Sequence, residues 1–296
     1  MKVFFFLCTV VALVVGASRA AEPAPAGTRV ILLGTGNPNP DPARSGPATA
    51  IVVNGAVYLV DSGPGIVRRA AAAKLPMPEL KRVFLTHLHS DHTLGLPDLI
   101  FSPWVLGRTA PFEAYGPVGT NAMMGHVAAA FQADVDMRLR GGEPANDTGW
   151  KIVAKEISPG VVYQDANVTV KAFAVPHGGW KQAFGYRFET ADRVVVISGD
   201  TTFTPAMIEQ ARGADVLVHE AYCETGLKTR EPIWQKYHAA FHTSTSDLAR
   251  IAREAKPKLL VLHHLVLSGQ PAEQVLKEVT AGYDGKVVIG NDLDVL

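Results

Sequence analysis

The chain has 296 residues, 47% of them hydrophobic, which is enough for one large domain with a substantial core. Twenty-eight basic residues balance 28 acidic ones, and no lysine/arginine block of the sort that tracks a phosphate backbone is present. Tight binding of long nucleic acid is therefore not expected.

The N-terminus reads as a targeting segment. Met1-Lys2 is a short basic start, Val3 to Gly16 an apolar run, and Ser18-Arg19-Ala20 a small-x-small site before Ala21. The run is short for a bilayer span and lacks a stop-transfer flank. Residues 1–20 are thus expected to be a cleavable secretory signal, 21–28 a flexible leader and 29–296 the folded domain. A periplasmic or secreted protein follows, with no membrane association after cleavage. Cleavage removes Lys2, Cys8 and Arg19, leaving a net charge slightly negative and Cys223 alone. One cysteine makes no internal disulfide, so stability must come from the core and from metals.

Arg29 to Gly36 is an apolar strand running into a Gly/Asn/Pro loop, Asn37 to Arg44. Thr49 to Val53 and Ala56 to Val60 are strands joined by Asn54-Gly55, a two-residue hairpin signal. The second ends in Asp61, which either orients a neighbouring ligand or caps the helix expected over Ile66 to Ala73. Val83-Phe84-Leu85 is a short buried strand. It runs into Thr86-His87-Leu88-His89-Ser90-Asp91-His92, around which the rest is organised. His87 and His89 are two apart and share a side in extended backbone. Asp91 and His92, past the bend, face a second point. Imidazole and carboxylate suit a borderline divalent ion such as zinc.

A helix is expected near Leu96 to Leu106, a strand near Phe112 to Tyr115, and one long helix over Thr120 to Ala133. In that helix Met124, Val127, Ala128 and Phe131 make a core-facing stripe, and His126 is a surface histidine. Strands follow at Ile152 to Glu156, Asn167 to Val175, Phe184 to Glu189 and Arg193 to Ser198. Then come a helix (Pro205 to Ala211) and the strand Asp215 to Val218 before His219-Glu220. Tyr222 to Phe241 reads as an irregular aromatic lid. A helix over Ser244 to Glu254, capped by Thr243 or Ser244, leads to the strand Leu259 to Leu262 and then His263-His264. A helix (Ala272 to Thr280) and a strand (Lys286 to Ile289) close the chain. Metal-competent residues recur at four strand ends, in the loop after Leu85 and at His177, Asp200 and His263-His264. Apolar runs precede each, so the fold must bring these ends to one edge of a sheet sandwich.

These elements resemble the metallo-β-lactamase superfamily, and within it the ribonuclease Z-like branch, from about Arg29 to the C-terminus. The resemblance rests on Leu33-Gly34-Thr35-Gly36, the histidine loop, Pro176-His177, Gly185-Tyr186-Arg187, Ser198-Gly199-Asp200-Thr201, His219-Glu220-Ala221, His242-Thr243-Ser244 and Leu262-His263-His264-Leu265. It implies an α/β (α+β) fold, a four-layer αββα sandwich with two zinc ions on one edge, manganese or iron(II) being alternatives. By position, His87, His89 and His177 would hold one ion and Asp91, His92 and His264 the other, with Asp200 bridging. Strand side chains alternate, so only one of His263 and His264 should reach the metals, and His264 aligns better. Two ions sharing a water would make it a nucleophile near neutral pH, with Asp91 orienting it and Glu220 and His242 passing a proton to the leaving group.

Ribonuclease Z enzymes normally carry a long Gly/Pro-rich arm between the third histidine and the bridging aspartate. The stretch from His177 to Asp200 has no room for one. An exported hydrolase of small phosphodiesters or related esters is expected, with Trp180, Lys181 and Trp234 to His238 as candidate substrate walls. The alternatives are a β-lactam, lactone or aryl sulfate hydrolase on the same fold, or a metal-binding protein without catalysis. Assembly is left open, a homodimer included.

Overall fold

The computed structural model of the protein describes residues 27–296, and the expected signal and most of the leader lie outside the described residues. Six strands lie side by side in chain order in one sheet: β1 (Thr28–Gly34), β2 (Ala48–Val53), β3 (Ala56–Val60), β4 (Arg82–Phe84), β5 (Phe112–Gly116) and β6 (Ile152–Glu156). The second sheet holds β7 (Gly160–Gln164), β8 (Val168–Ala174), β9 (Phe184–Thr190), β10 (Val194–Ile197), β11 (Val216–Tyr222), β12 (Leu260–Val266) and β13 (Val287–Ile289), again in chain order. Helices α1 (Ile66–Ala72), α2 (Ser90–Thr93), α3 (Leu96–Val105), α4 (Thr120–Ala130) and α5 (Gln132–Arg140) belong to the first half. The second half contributes α6 (Pro205–Ala211), α7 (Glu224–Leu227), α8 (Pro232–Phe241), α9 (Thr245–Ala255) and α10 (Ala272–Gly282).

Three apolar layers explain the stacking. Between the sheets lie Leu32, Ile51, Phe84, Tyr186, Phe188 and Val218, with Phe84 meeting Tyr186 and Phe188 at 5.7 Å between ring centres. The outer face of the first sheet packs on α1, α3 and α4 through Ile66, Leu99, Trp104 and Met124. That of the second packs on α6, α9 and α10 through Met207, Leu248 and Val275. The result is an αββα sandwich. Strands β2 and β12, buried on both faces, therefore read as unbroken apolar runs instead of alternating ones.

Strand direction sets where the ligands end up. β10, β11 and β12 are parallel, and β9 is antiparallel to both β8 and β10. The C-terminal ends of β8, β10 and β12 therefore share an edge, which β4 meets from the other sheet. The Asn54-Gly55 hairpin forms as expected, with φ of 51° and 85° that suit this dipeptide.

Four local expectations need correction. The helix from Thr120 breaks into α4 and α5 at Phe131, whose φ and ψ of −105° and 8° let its ring stack on Phe101 at 4.7 Å. Of the apolar stripe only Met124 is fully buried. Tyr222 to Phe241 is not irregular: β11 runs through Tyr222, and α7 and α8 follow, α8 opening with Pro232 at a position where a missing N–H costs nothing. The edge strand β7 was not expected: its apolar run is only Val161-Val162-Tyr163, and three of its five residues are exposed. Helical backbone also starts at Ser90, ahead of Leu96, so Asp91 and His92 stand on the short turn α2.

Candidate metal centre

All seven expected ligands meet at the shared edge. His89 Nδ1 lies 3.0 Å from His87 Nε2 and 3.2 Å from His177 Nε2, so three imidazole nitrogens aim at one point. Beside them Asp91, His92 and His264 form a second set, with His264 Nε2 3.2 Å from the Asp91 carboxylate. Asp200 stands between the two. Its Oδ2 is 3.5 Å from the Nε2 of both His92 and His264, and 4.0 Å from that of His87 and His177. The turn that places it needs a glycine: at Gly199, φ is +59°, and a Cβ would come within 2.8 Å of the Thr86 side chain.

Neighbours orient each ring. Asp61 accepts a hydrogen bond from Nδ1 of His92 at 2.8 Å, which leaves Nε2 of His92 facing the cluster. The same carboxylate accepts from the backbone N–H and hydroxyl of Thr86, whose oxygen lies 3.0 Å from Nδ1 of His87. Asp61 is thus a ligand orienter, and Gly65 occupies the N-cap of α1. Nδ1 of His177 donates to the Phe241 carbonyl at 2.6 Å. Trp180, expected as a substrate wall, instead donates its indole N–H to Nε2 of His89, and Lys181 is exposed outside the cavity. The Phe241 carbonyl carries no sequence signal, because any residue offers one.

The paired histidines are separated by backbone. Glu220 on β11 stands opposite both His263 and His264, a bulge that throws His264 to φ 46°. His264 reaches the cluster and His263 does not. The backbone N–H of His264 donates to the Thr35 carbonyl, and Thr35 is held in turn by Asp292 through its N–H and hydroxyl. Asp292 comes from the C-terminal segment, which returns beside β1, a partnership invisible from spacing. His126 is exposed on α4.

Glu220 is fully buried. One of its oxygens accepts from the backbone N–H of Thr243 at 2.8 Å, and the other lies 3.3 Å from Nδ1 of His242. Burial raises the Glu220 carboxyl, against the pull of His242. Burial would lower His242, but Glu220 outweighs it and holds the imidazole above its usual range.

Burial also lowers His87, His89 and His177, the last to about 4, so these three are neutral ligands at physiological pH. Burial penalises the Asp200 anion, yet His264, His92 and His87 outweigh it and keep the carboxyl ionised. The donor set fits a pair of divalent cations. Nε2 of His92 is buried without a hydrogen-bond partner, and neutral imidazoles plus two carboxylates are what such ions coordinate.

Residues 57–265 match the family model described as the beta-lactamase superfamily domain. The chain belongs to the metallo-β-lactamase superfamily. Known relatives of this superfamily member include Ribonuclease Z of Mycobacterium sp. (strain KMS), 34% identical over 269 residues that cover 89% of this chain and 94% of that protein. Ribonuclease Z of Mycobacterium marinum is 33% identical over 270 residues, 89% of this chain and 96% of that protein. Among solved structures, the human short-form tRNase Z aligns with a TM-score of 0.69 at 23% identity, over 90% of this chain and 98% of that one. The metallo-beta-lactamase fold protein YhfI of Bacillus subtilis aligns with the same score at 19% identity, over 91% and 98%. The structural likenesses concern the fold. The family model and the sequence relatives make this superfamily member a ribonuclease Z-like, metal-dependent hydrolase of the phosphodiesterase type.

Proposed function

We propose that the protein is an exported dinuclear zinc enzyme that hydrolyses small phosphodiesters. The reading is carried by one observation: two sets of three ligands share Asp200 on the floor of a cavity of about 1110 Å³. In this assignment His87, His89 and His177 would hold one ion and Asp91, His92 and His264 the other, with Asp200 within reach of both. Divalent ions held there would supply a water of lowered pKa and would offset negative charge on the attacked phosphoryl group. Asp91 would orient the attacking water, and His242, kept protonated by Glu220, would deliver a proton to the leaving oxygen. The balanced charge and the short passage from His177 to Asp200, filled by β9 and β10, support a small substrate. The basic start, apolar run and small-x-small site of residues 1–20 support export.

A second reading, cleavage of RNA, is favoured by the named relatives. The match takes in 94% of the Mycobacterium sp. Ribonuclease Z, which leaves that protein little room for a large insertion. A missing arm therefore does not by itself set this chain apart.

The test loads the protein with two equivalents of metal. It then assays bis(p-nitrophenyl) phosphate, a precursor transfer RNA, nitrocefin, an acyl lactone and p-nitrophenyl sulfate. Turnover of the phosphodiester with the others untouched is the expected result. Cleavage of the RNA at a much higher kcat/KM moves the assignment to the second reading. Turnover of the lactam, lactone or sulfate alone overturns both. Export is checked by the mass of the protein from the periplasm or medium, expected to begin at Ala21.

A further inference from the structure

His264 carries its imidazole on strained backbone. Its φ of 46° lies in the left-handed region, which a residue with a Cβ adopts only where its surroundings impose it. In extended backbone the side chain would follow the alternation of β12 and turn away from the ligand cluster. A neighbour must therefore hold the bulge in place.

The loop after β1 supplies that hold, on both sides of the ligand. The Thr35 carbonyl accepts from the backbone N–H of His264 at 3.0 Å, and Nδ2 of Asn37 donates to the Leu265 carbonyl at 2.7 Å. A loop can brace a strand only if the loop itself is fixed. Asp292 fixes this one at two points. Its Oδ1 accepts from the N–H and the hydroxyl of Thr35 at 2.9 and 2.8 Å, and its Oδ2 accepts from the N–H of Ser45 at 2.7 Å. The Ser45 carbonyl in turn accepts from the N–H of Gly36 at 2.8 Å, and Nε of Arg69 lies 3.0 Å from Oδ2 of Asp292. The Asp292 side chain is 3% exposed, so these donors, and not water, meet its charge. Glycine lets the backbones come this close: a Cβ on Gly34 would run into the Gly46 carbonyl.

Asp292 does not line the cavity, so it touches neither substrate nor ligand rings. We propose that Asp292 is a positioning residue: by locking Thr35 it sets the backbone of His264, and with it the affinity for the ion at Asp91, His92 and His264. This rests on the two-ion reading and ties a residue from the C-terminal segment to one of the two positions. The other position is independent of it, because His87 and His177 are oriented by Thr86 and the Phe241 carbonyl.

The test is a double-mutant cycle on metal binding, read by competition with a chelator. Asp292→Ala should weaken the ion at Asp91, His92 and His264 about tenfold, the lower end of what losing a partner behind a ligand costs. The three-histidine ion should keep its wild-type affinity. In a His264→Ala background the same substitution should change nothing further, because residues that act through one another do not add. Thr35→Val removes the hydroxyl that Asp292 holds and should weaken the same ion up to about fivefold, the worth of one net hydrogen bond. Thr35→Ser keeps the hydroxyl and should restore wild-type binding, and this pair decides the matter if Asp292→Ala does not fold. A loss that falls equally on both ions, or that persists on the remaining ion in the His264→Ala background, marks a purely structural residue and overturns the inference. Unchanged affinity overturns it as well. A wild-type protein that takes up a single ion refutes the two-ion reading itself, and the inference with it.

Discussion

The indole N–H of Trp180 donates to Nε2 of His89 at 2.9 Å, and this bond opposes metal binding at the same ring. Indole is a donor only. A neutral imidazole that accepts at Nε2 carries its proton on Nδ1, the atom aimed at His87 and His177. Coordination through Nδ1 moves the proton to Nε2 and leaves two donors facing each other. Metal loading is therefore expected to displace Trp180 and change tryptophan emission. Trp180→Phe should remove the competing bond and tighten metal binding about fivefold, the worth of one net hydrogen bond. Metal titrations followed by fluorescence and by a chelating dye check this. Weaker binding in the variant would show that the indole supports the ligated ring.

Asp61 touches both halves of the cluster, His92 directly and His87 through Thr86. In Asp61→Asn the amide nitrogen cannot accept the His92 proton, so the ring loses its fixed tautomer. Affinity for the ion at Asp91, His92 and His264 should fall roughly 10–100-fold, the usual effect of removing such a partner. The three-histidine set should lose much less. Competition with a chelator resolves the two affinities, and a variant that holds both ions like the wild type contradicts this role.

Acid should strip the two positions in order. Burial opposes a charge on His92, but Asp200 and Asp61 together hold its pKa well above 6.5. Before metal binds, His92 is therefore protonated at neutral pH, whereas His87, His89 and His177 are not. A ligand must give up its proton to the metal. Binding beside His92 thus releases a proton and weakens as pH falls, by about tenfold per pH unit for one displaced proton. The three-histidine set keeps its ion until pH approaches the lower range of its ligands. Dialysis from pH 8 to pH 5 with metal analysis should pass through a plateau near one equivalent. Loss of both ions in a single step would contradict the order.

Stability at the far end of the first helical layer depends on Arg108. Its fully buried guanidinium donates to the carbonyls of Leu80, Leu99, Ile100 and Gly149. These bonds tie α3 to the segments that lead into β4 and β6. Arg108→Met keeps the volume and removes the donor from these buried carbonyls, at a cost of roughly 3 kcal/mol. Denaturant melts should show the loss. Metal content should stay at the wild-type level, because Arg108 does not line the cavity.

Much of this was legible in order along the chain. Unbroken apolar runs ending in His, Asp or Glu mark buried strands whose polar ends need a common destination, and the hairpin at Asn54-Gly55 follows from its dipeptide. Less was legible where the signal is not periodic. β7 offers only the short run Val161-Val162-Tyr163, and the break at Phe131 depends on a partner ring thirty residues earlier. The segment before Phe241 reads as irregular because its apolar residues face a cavity and leave the core side of α8 unmarked.

The sequence by itself determined which residue types gather and at which strand ends, because ligand chemistry and strand burial are local properties of the chain. Only the tertiary structure decided between His263 and His264, through a bulge opposite Glu220, and between the two roles open to Asp61. It also drew Asp292 to Thr35, Trp180 to His89, and the α8 rings over the cluster. Those outcomes depend on where distant backbone passes. Spacing within one segment carries no trace of a neighbour supplied by another.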